Sequence, residues 1–183
     1  MKIFMQQLWL TPTQWDDPLS DQLTQSWSTA VSEVSALSSF RVPRAMPDSH
    51  GVCRLVGFCD ASEQGYAAVL YLHTSTPVSS SVTLLRARSK VALVKPLTIP
   101  KLELSAAVLL SRLLKDTAPS LETLTVDSVV LYTDSSIVLA WLITPPHRLK
   151  TFVANPVVEI LEASTPTDWR NVASTDNPAD CAS

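Results

Sequence analysis

The sequence predicts a mixed α/β domain whose sheet starts antiparallel and continues parallel. Three observations carry that expectation. Residues 54–91 hold three β-compatible apolar runs separated by short polar turns, the pattern of neighbouring antiparallel strands. Residues 100–115 then change to helical spacing. Beyond them, Val129–Tyr132 is a short continuous apolar run, as expected of a strand buried on both faces, and helical stretches follow it.

The first fifty residues stand apart. Asp16-Asp17-Pro18 predicts a helix start, with acids at the positive end of the dipole and proline in the first turn. Leu19, Leu23, Trp27, Val31 and Val34 continue at helical spacing to about Ala36. Arg41–Gly51, with Pro43, Pro47 and Gly51, predicts an extended linker, so a boundary is expected near residue 50.

The main domain follows element by element. Arg54–Asp60 and Tyr66–His73 form a hairpin around the Ser62–Gly65 turn, and the polar run Thr74–Ser81 leads into a third strand, Val82–Val91. Pro100 opens a helix over Lys101–Lys115, with Leu102, Ala106, Leu109, Leu110 and Leu113 on its apolar side. Asp134-Ser135-Ser136 supplies a cap for a helix through Ile137–Leu142. A further helix over Leu149–Leu161 is expected to break at Pro156, and Thr167–Val172 is a last short strand.

Composition narrows the function. A chain of 183 residues, 46% hydrophobic and 17% charged, is one globular domain with an appendage, long enough to bury a core. The net charge of −3 counts mildly against a nucleic-acid binder that works by bulk charge. Gly51, Gly57 and Gly65 are the only glycines, so neither a dinucleotide nor a P-loop phosphate cradle can be built. Cys53, Cys59 and Cys181 form no CxxC pair and the three histidines are scattered, which argues against structural zinc and for a reducing setting, cytoplasmic or nuclear. No eighteen-residue apolar run spans a membrane, and the apolar start breaks at Gln6-Gln7, unlike a secretory leader.

Four acids stand where surface carboxylates usually do not. Asp60 ends an apolar strand, Glu103 sits between two leucines in the first turn of the main helix, Asp134 follows the buried strand, and Asp180 lies in Asn177-Pro178-Ala179-Asp180. Singly, each has an ordinary role as a turn, cap or helix-dipole residue. Jointly, strand ends and helix starts at one edge of an α/β sheet converge, and clustered carboxylates call for hard divalent cations. Two ions with four carboxylates balance in charge, as a two-metal phosphoryl-transfer site requires.

These residues carry a family resemblance. Phe58-Cys59-Asp60-Ala61-Ser62, Thr98-Ile99-Pro100-Lys101-Leu102-Glu103-Leu104, Tyr132-Thr133-Asp134-Ser135-Ser136 and Asn177-Pro178-Ala179-Asp180-Cys181-Ala182-Ser183 resemble the ribonuclease H domain of Bel/Pao-class LTR retrotransposon polyproteins. Ala140-Trp141-Leu142, Pro145-Pro146-His147-Arg148 and Lys150–Asn155 are similar as well, so the likeness covers about residues 50–183. Residues 1–49, with Trp15-Asp16-Asp17-Pro18-Leu19 and Arg41-Val42-Pro43-Arg44, resemble the connection segment between reverse transcriptase and that domain.

The resemblance implies an RNase H-like fold: a mixed five-stranded sheet, three antiparallel strands then parallel ones, flanked by helices and preceded by a helical extension. It implies that Asp60, Glu103, Asp134 and Asp180 hold two Mg²⁺, with Mn²⁺ as the alternative ion. The expected reaction is endonucleolytic hydrolysis of the RNA strand of an RNA–DNA hybrid, leaving 3′-hydroxyl and 5′-phosphate ends. The hybrid's minor groove and 2′-hydroxyls would discriminate against DNA duplexes. The expected partner is the upstream reverse transcriptase of the same polyprotein.

For substrate contacts, Gln64–Leu102 holds Arg86, Arg88, Lys90, Lys95 and Lys101 and no acid, a stretch suited to phosphates. Arg148 and Lys150 make a second basic patch, and Ser62, Ser135 and Ser136 offer hydroxyls. Two departures from the family count against activity: it continues beyond the point where this chain stops, three residues after Asp180, and Asn171–Thr175 holds no histidine to aid product release. Truncation there would leave Asp180 on a frayed terminus. The rival reading is therefore an inactive RNase H-like remnant that binds nucleic acid or protein. An integrase- or transposase-type nuclease fits less well, because the second of the four carboxylates is Glu.

Overall fold

The computed structural model describes residues 2–12, 14–41, 51–94, 97–121 and 124–183, so Lys95 and most of the expected linker lie outside the described residues. The chain divides into two compact units, Met1–Ala45 and Met46–Ser183.

The first unit contains α1 (Lys2–Leu10), which the sequence reading did not anticipate, and α2 (Asp21–Ala36). Phe4 is the buried residue of α1, and its ring centroid lies 5.9 Å from that of Trp27 on α2. The start of α2 differs from expectation. Ser20 is the cap, its hydroxyl accepting from the Leu23 amide at 3.4 Å. Asp17 instead closes a separate turn, accepting from the Gln14 amide at 2.8 Å. The hydroxyl wins because it stands immediately before the uninterrupted helical run. Trp27, Val31 and Val34 are exposed along α2.

The second unit is a five-stranded sheet in the order β3-β2-β1-β4-β5. β1 (Val52–Ala61), β2 (Gly65–Ser75) and β3 (Ser80–Val91) form the antiparallel meander. β4 (Ser128–Thr133) lies parallel to β1, and β5 (Trp169–Asn171) parallel to β4. The crossover between β1 and β4 carries α3 (Ile99–Thr117), with Thr98 at its cap position and Pro100 in the first turn, where a missing amide costs no hydrogen bond.

One sheet face packs on α3. Leu55, Cys59, Ala68, Leu70, Leu72 and Leu131 join Leu109, Leu110 and Leu113 of α3 in a single apolar cluster. Gly57 permits that closeness: a Cβ there would stand 2.7 Å from Leu110 Cδ1 and 2.9 Å from Leu131 Cδ2. The other face carries Phe58 stacked on Tyr132, centroids 5.0 Å apart, with Tyr71 meeting Phe58 edge-on at 6.2 Å.

α4 (Ser136–Ile143) and α5 (Thr151–Leu161) complete the unit. The break expected at Pro156 does not occur; α5 runs through it. Val153, Val157 and Ile160 bury one face of α5 and hold the helix in place, whereas the carbonyl that loses its partner, that of Phe152, belongs to an exposed residue that water can reach.

Candidate active site

The parallel pairing of β1 with β4 sets their C-terminal ends side by side. Asp60 is the penultimate residue of β1 and Asp134 immediately follows β4, so one sheet edge receives both. Glu103 arrives from α3, the fifth residue of a helix that starts at Ile99, one step deeper than the first turn in which it was expected. The side chain that ties it to the edge is Ser135: its hydroxyl donates to Glu103 Oε2 at 2.5 Å and accepts from the Val138 amide at 3.2 Å, capping α4. The cap of α4 is therefore Ser135 and not Asp134.

The segment after β5 closes the edge from the other side. Ser174 Oγ donates to Asp134 Oδ2 at 2.7 Å, and Ser183 Oγ donates to Asp60 Oδ2 at 2.5 Å. Asn177, 4% exposed, donates through Nδ2 to the Cys59 carbonyl at 3.0 Å and to Asp60 Oδ1 at 3.5 Å. Asp180 is exposed and contributes its charge rather than a side-chain hydrogen bond.

Electrostatics link these groups. Burial pushes the Asp60 carboxyl above the usual carboxylate range; the Ser183 hydrogen bond opposes this, while the charges of Asp134 and Asp180 add to it. Cys59, fully buried behind the edge, is raised chiefly by burial, lowered somewhat by its hydrogen bond with Thr133, and raised further by Asp60, Asp134 and Glu103. It stays a neutral thiol, not a ligand. Asp134 and Asp180 thus act on Asp60, and Asp60, Asp134 and Glu103 on Cys59, while no Lys, Arg or His among the described residues forms an ion pair with any of these acids.

The donor set suits hard cations: carboxylate oxygens, like-charged and without a protein counter-ion. In this arrangement no three His, Cys, Asp or Glu side chains among the described residues stand close enough to hold one ion. Asp60, Glu103 and Asp134 are each bonded to a serine hydroxyl instead, so a shared ion would require those side chains to turn. In chemistry the residues fit the implied ions; in spacing they form no three-ligand group among the described residues.

The predicted substrate contacts divide. Arg86, Arg88 and Lys90 occupy alternate positions on edge strand β3, opposite Leu70, Ala68 and Tyr66, and so share the face covered by α3. Arg86 stands 4.0 Å from Asp116, whereas Arg88 and Lys90 are exposed without an ion pair among the described residues. Lys90 borders an open cleft with Tyr66, Ser105 and Arg112. Lys101 lies 4.5 Å over the Phe152 ring. Arg148 and Lys150 are exposed beyond the far end of α4, an eight-residue helix about 12 Å long, and so stand away from Asp134. The Ser62 hydroxyl accepts from the Gln64 amide at 3.2 Å and serves the β1–β2 turn.

Sequence reasoning passed over Ser174, Asn177 and Ser183. A signal for Asn177 was present, since it opens the Asn-Pro-Ala-Asp motif, but its partner Cys59 is 118 residues away and only folding brings them together.

Comparison with known proteins now places the chain. A family model described as "Pao retrotransposon-like RNaseH-like domain" matches residues 1–135. The chain belongs to that family. The matched span includes Asp60, Glu103 and Asp134 of this Pao RNase H-like domain, and Asp180 lies outside it. No curated protein sequence matches. Among solved structures, the N-terminal RNase H domain of rv2228c from Mycobacterium tuberculosis, solved as a fusion with maltose binding protein, is 13% identical, covering 72% of this chain and 91% of that one at a TM-score of 0.47. RNase H1 from Halobacterium salinarum is 16% identical, covering 72% and 94%, with a TM-score of 0.42. LC11-RNase H1, solved in complex with RNA/DNA hybrid, is 14% identical, covering 71% and 92%, also at 0.42. The five-stranded order and the family match, not these modest superpositions, define the fold as RNase H-like. No helix among the described residues is long and apolar enough to cross a membrane.

Proposed function

We propose that this domain is an endoribonuclease that hydrolyses the RNA strand of RNA–DNA hybrids, with Asp60, Glu103, Asp134 and Asp180 as the ligands of two Mg²⁺ or Mn²⁺. The observation that supports the reading is the parallel pairing that sets Asp60 at the end of β1 beside Asp134 at the end of β4, with Ser135 joining Glu103 of α3 to the same edge, in a Pao RNase H-like domain. Bound divalent ions supply Lewis acidity, activating water and neutralising charge on the leaving oxygen. The chain's own part is orientation. Ser135 fixes Glu103 against the start of α4, and Ser183 fixes Asp60 at the end of β1. Arg88 and Lys90 offer cations to backbone phosphates. In this reading the domain works beside the reverse transcriptase of its polyprotein, in the cytoplasm or nucleus.

The test is cleavage of end-labelled RNA–DNA hybrid by the full chain in Mg²⁺ or Mn²⁺. Chelator-sensitive cutting that disappears in Asp134→Asn supports the proposal. An intact, folded chain that binds hybrid and never cuts it would leave the second reading, a binding module, which the serine-bonded carboxylates and the exposure of Asp180 favour. Cleavage of duplex DNA without cleavage of hybrid would overturn the substrate class.

A further inference from the structure

Asp180 poses a problem of placement. Its side chain is exposed and accepts no hydrogen bond among the described residues, yet its charge reaches Asp60 and its short helical turn, Asp180–Ala182, packs on β1 and β2. Something other than its own side chain must hold it at the edge.

We infer that Asn177 is the positioning residue that delivers Asp180 to the carboxylate edge, an inference that rests on reading those carboxylates as a metal-dependent catalytic site. Asn177 bonds in two directions. Toward the sheet, Nδ2 donates to the Cys59 carbonyl at 3.0 Å and to Asp60 Oδ1 at 3.5 Å. Toward Asp180, Oδ1 accepts from the Ala179 amide at 3.2 Å and the Asn177 carbonyl accepts from the Asp180 amide at 3.1 Å. One buried side chain thereby fastens a turn and docks that turn on the last residues of β1. Pro178 holds Asn177 in extended backbone, ψ 105°, and Ala179, 2% exposed, seats the turn.

The chemistry requires an amide. A serine is too short to donate to Cys59 and accept from Ala179 together, and an aspartate would lose the donors and set a further negative charge against Asp60. Asn177 thus makes the place of Asp180 depend on β1.

The experiment uses the 183-residue chain as wild type, Asn177→Ala, Asn177→Ser, Asp180→Asn and the double variant Asn177→Ala/Asp180→Asn. Three readouts are taken: amide hydrogen exchange, Mn²⁺ binding by calorimetry without nucleic acid, and kcat and KM on hybrid. Positioning predicts faster exchange in residues 178–183 with β1, β4 and α3 still protected. It predicts Mn²⁺ affinity and kcat each lower by about 10- to 100-fold at unchanged KM, the usual loss when a ligand's support is removed. The bond to the Cys59 carbonyl at 3.0 Å is the main anchor and the Asp60 contact at 3.5 Å is at the limit of a hydrogen bond, so Asn177 acts mainly through Asp180 and the double variant should be little worse than Asp180→Asn alone. Should Asn177→Ala unfold the chain, Asn177→Ser, too short to make both bonds, carries the same comparison. Wild-type Mn²⁺ affinity and kcat in a folded Asn177 variant, or multiplicative losses in the double variant, overturn the inference while leaving the enzyme reading intact. A wild-type chain that neither binds Mn²⁺ nor cuts hybrid overturns the enzyme reading and the inference with it.

Discussion

Replacing Ser135 with alanine removes a hydroxyl that is 5% exposed and makes two bonds. It loses the 3.2 Å acceptance from the Val138 amide that caps α4, a contribution of about 1 kcal/mol. It also loses the 2.5 Å donation to Glu103 Oε2, a charge-assisted bond of roughly 1.5–3 kcal/mol. Because one oxygen serves both, the terms overlap, and a total of about 3 kcal/mol is expected. For a chain of this size that corresponds to a fall in Tm of about 6–12 °C. The assay is urea and thermal unfolding at neutral pH with chelator present, in a double-mutant cycle with Glu103→Gln. Ser135→Thr should recover most of the loss, because threonine keeps the hydroxyl. A coupling energy of about 1 kcal/mol or more between Ser135 and Glu103 is expected. If Ser135→Ala lies within about 0.5 kcal/mol of wild type, the range of an unengaged surface substitution, the hydroxyl does not join α3 to α4 as described.

Asp60→Asn should stabilise the ion-free protein at neutral pH. A carboxyl raised in the folded state makes wild-type stability fall as pH climbs from 3.8 through that higher value, and below 3.8 both states are protonated and the advantage disappears. Unfolding at pH 3.5 and pH 7 with chelator reads the sign; an advantage that is equal at both refutes it. Gly57→Ala places a methyl against Leu110 and Leu131, both fully buried, and should cost about 1–3 kcal/mol in urea unfolding, against near-neutrality if α3 can shift outward. Arg88→Ala and Lys90→Ala should each lower the slope of log K against log salt for hybrid binding by about 1; an unchanged slope removes that residue from the interface.

Much of this architecture is legible locally. The β-compatible apolar runs of β1, β2 and β3 between polar turns, the unbroken run of β4 and the proline-opened α3 all arise from neighbours in sequence, so local pattern and turn chemistry suffice to place them. Asp60, Glu103 and Asp134 were recognisable because each stands where an element begins or ends. The errors fall where a distant surface outweighs local preference. α5 continues through Pro156 because Val153, Val157 and Ile160 are buried, and the start of α2 shifts to Ser20 because Asp17 is engaged with Gln14.

What the sequence by itself determined is the inventory: five strands, a helix start carrying Glu103, acids at two strand ends, and a family likeness borne by short motifs. What only the tertiary structure decided is who holds whom. The serine hydroxyls of Ser135, Ser174 and Ser183 and the amide of Asn177 meet their carboxylates across separations of 32 to 123 residues. A hydrogen bond acts over about 3 Å and leaves no periodic trace in sequence, so such pairings become visible only when the sheet order sets the ends of β1 and β4 side by side.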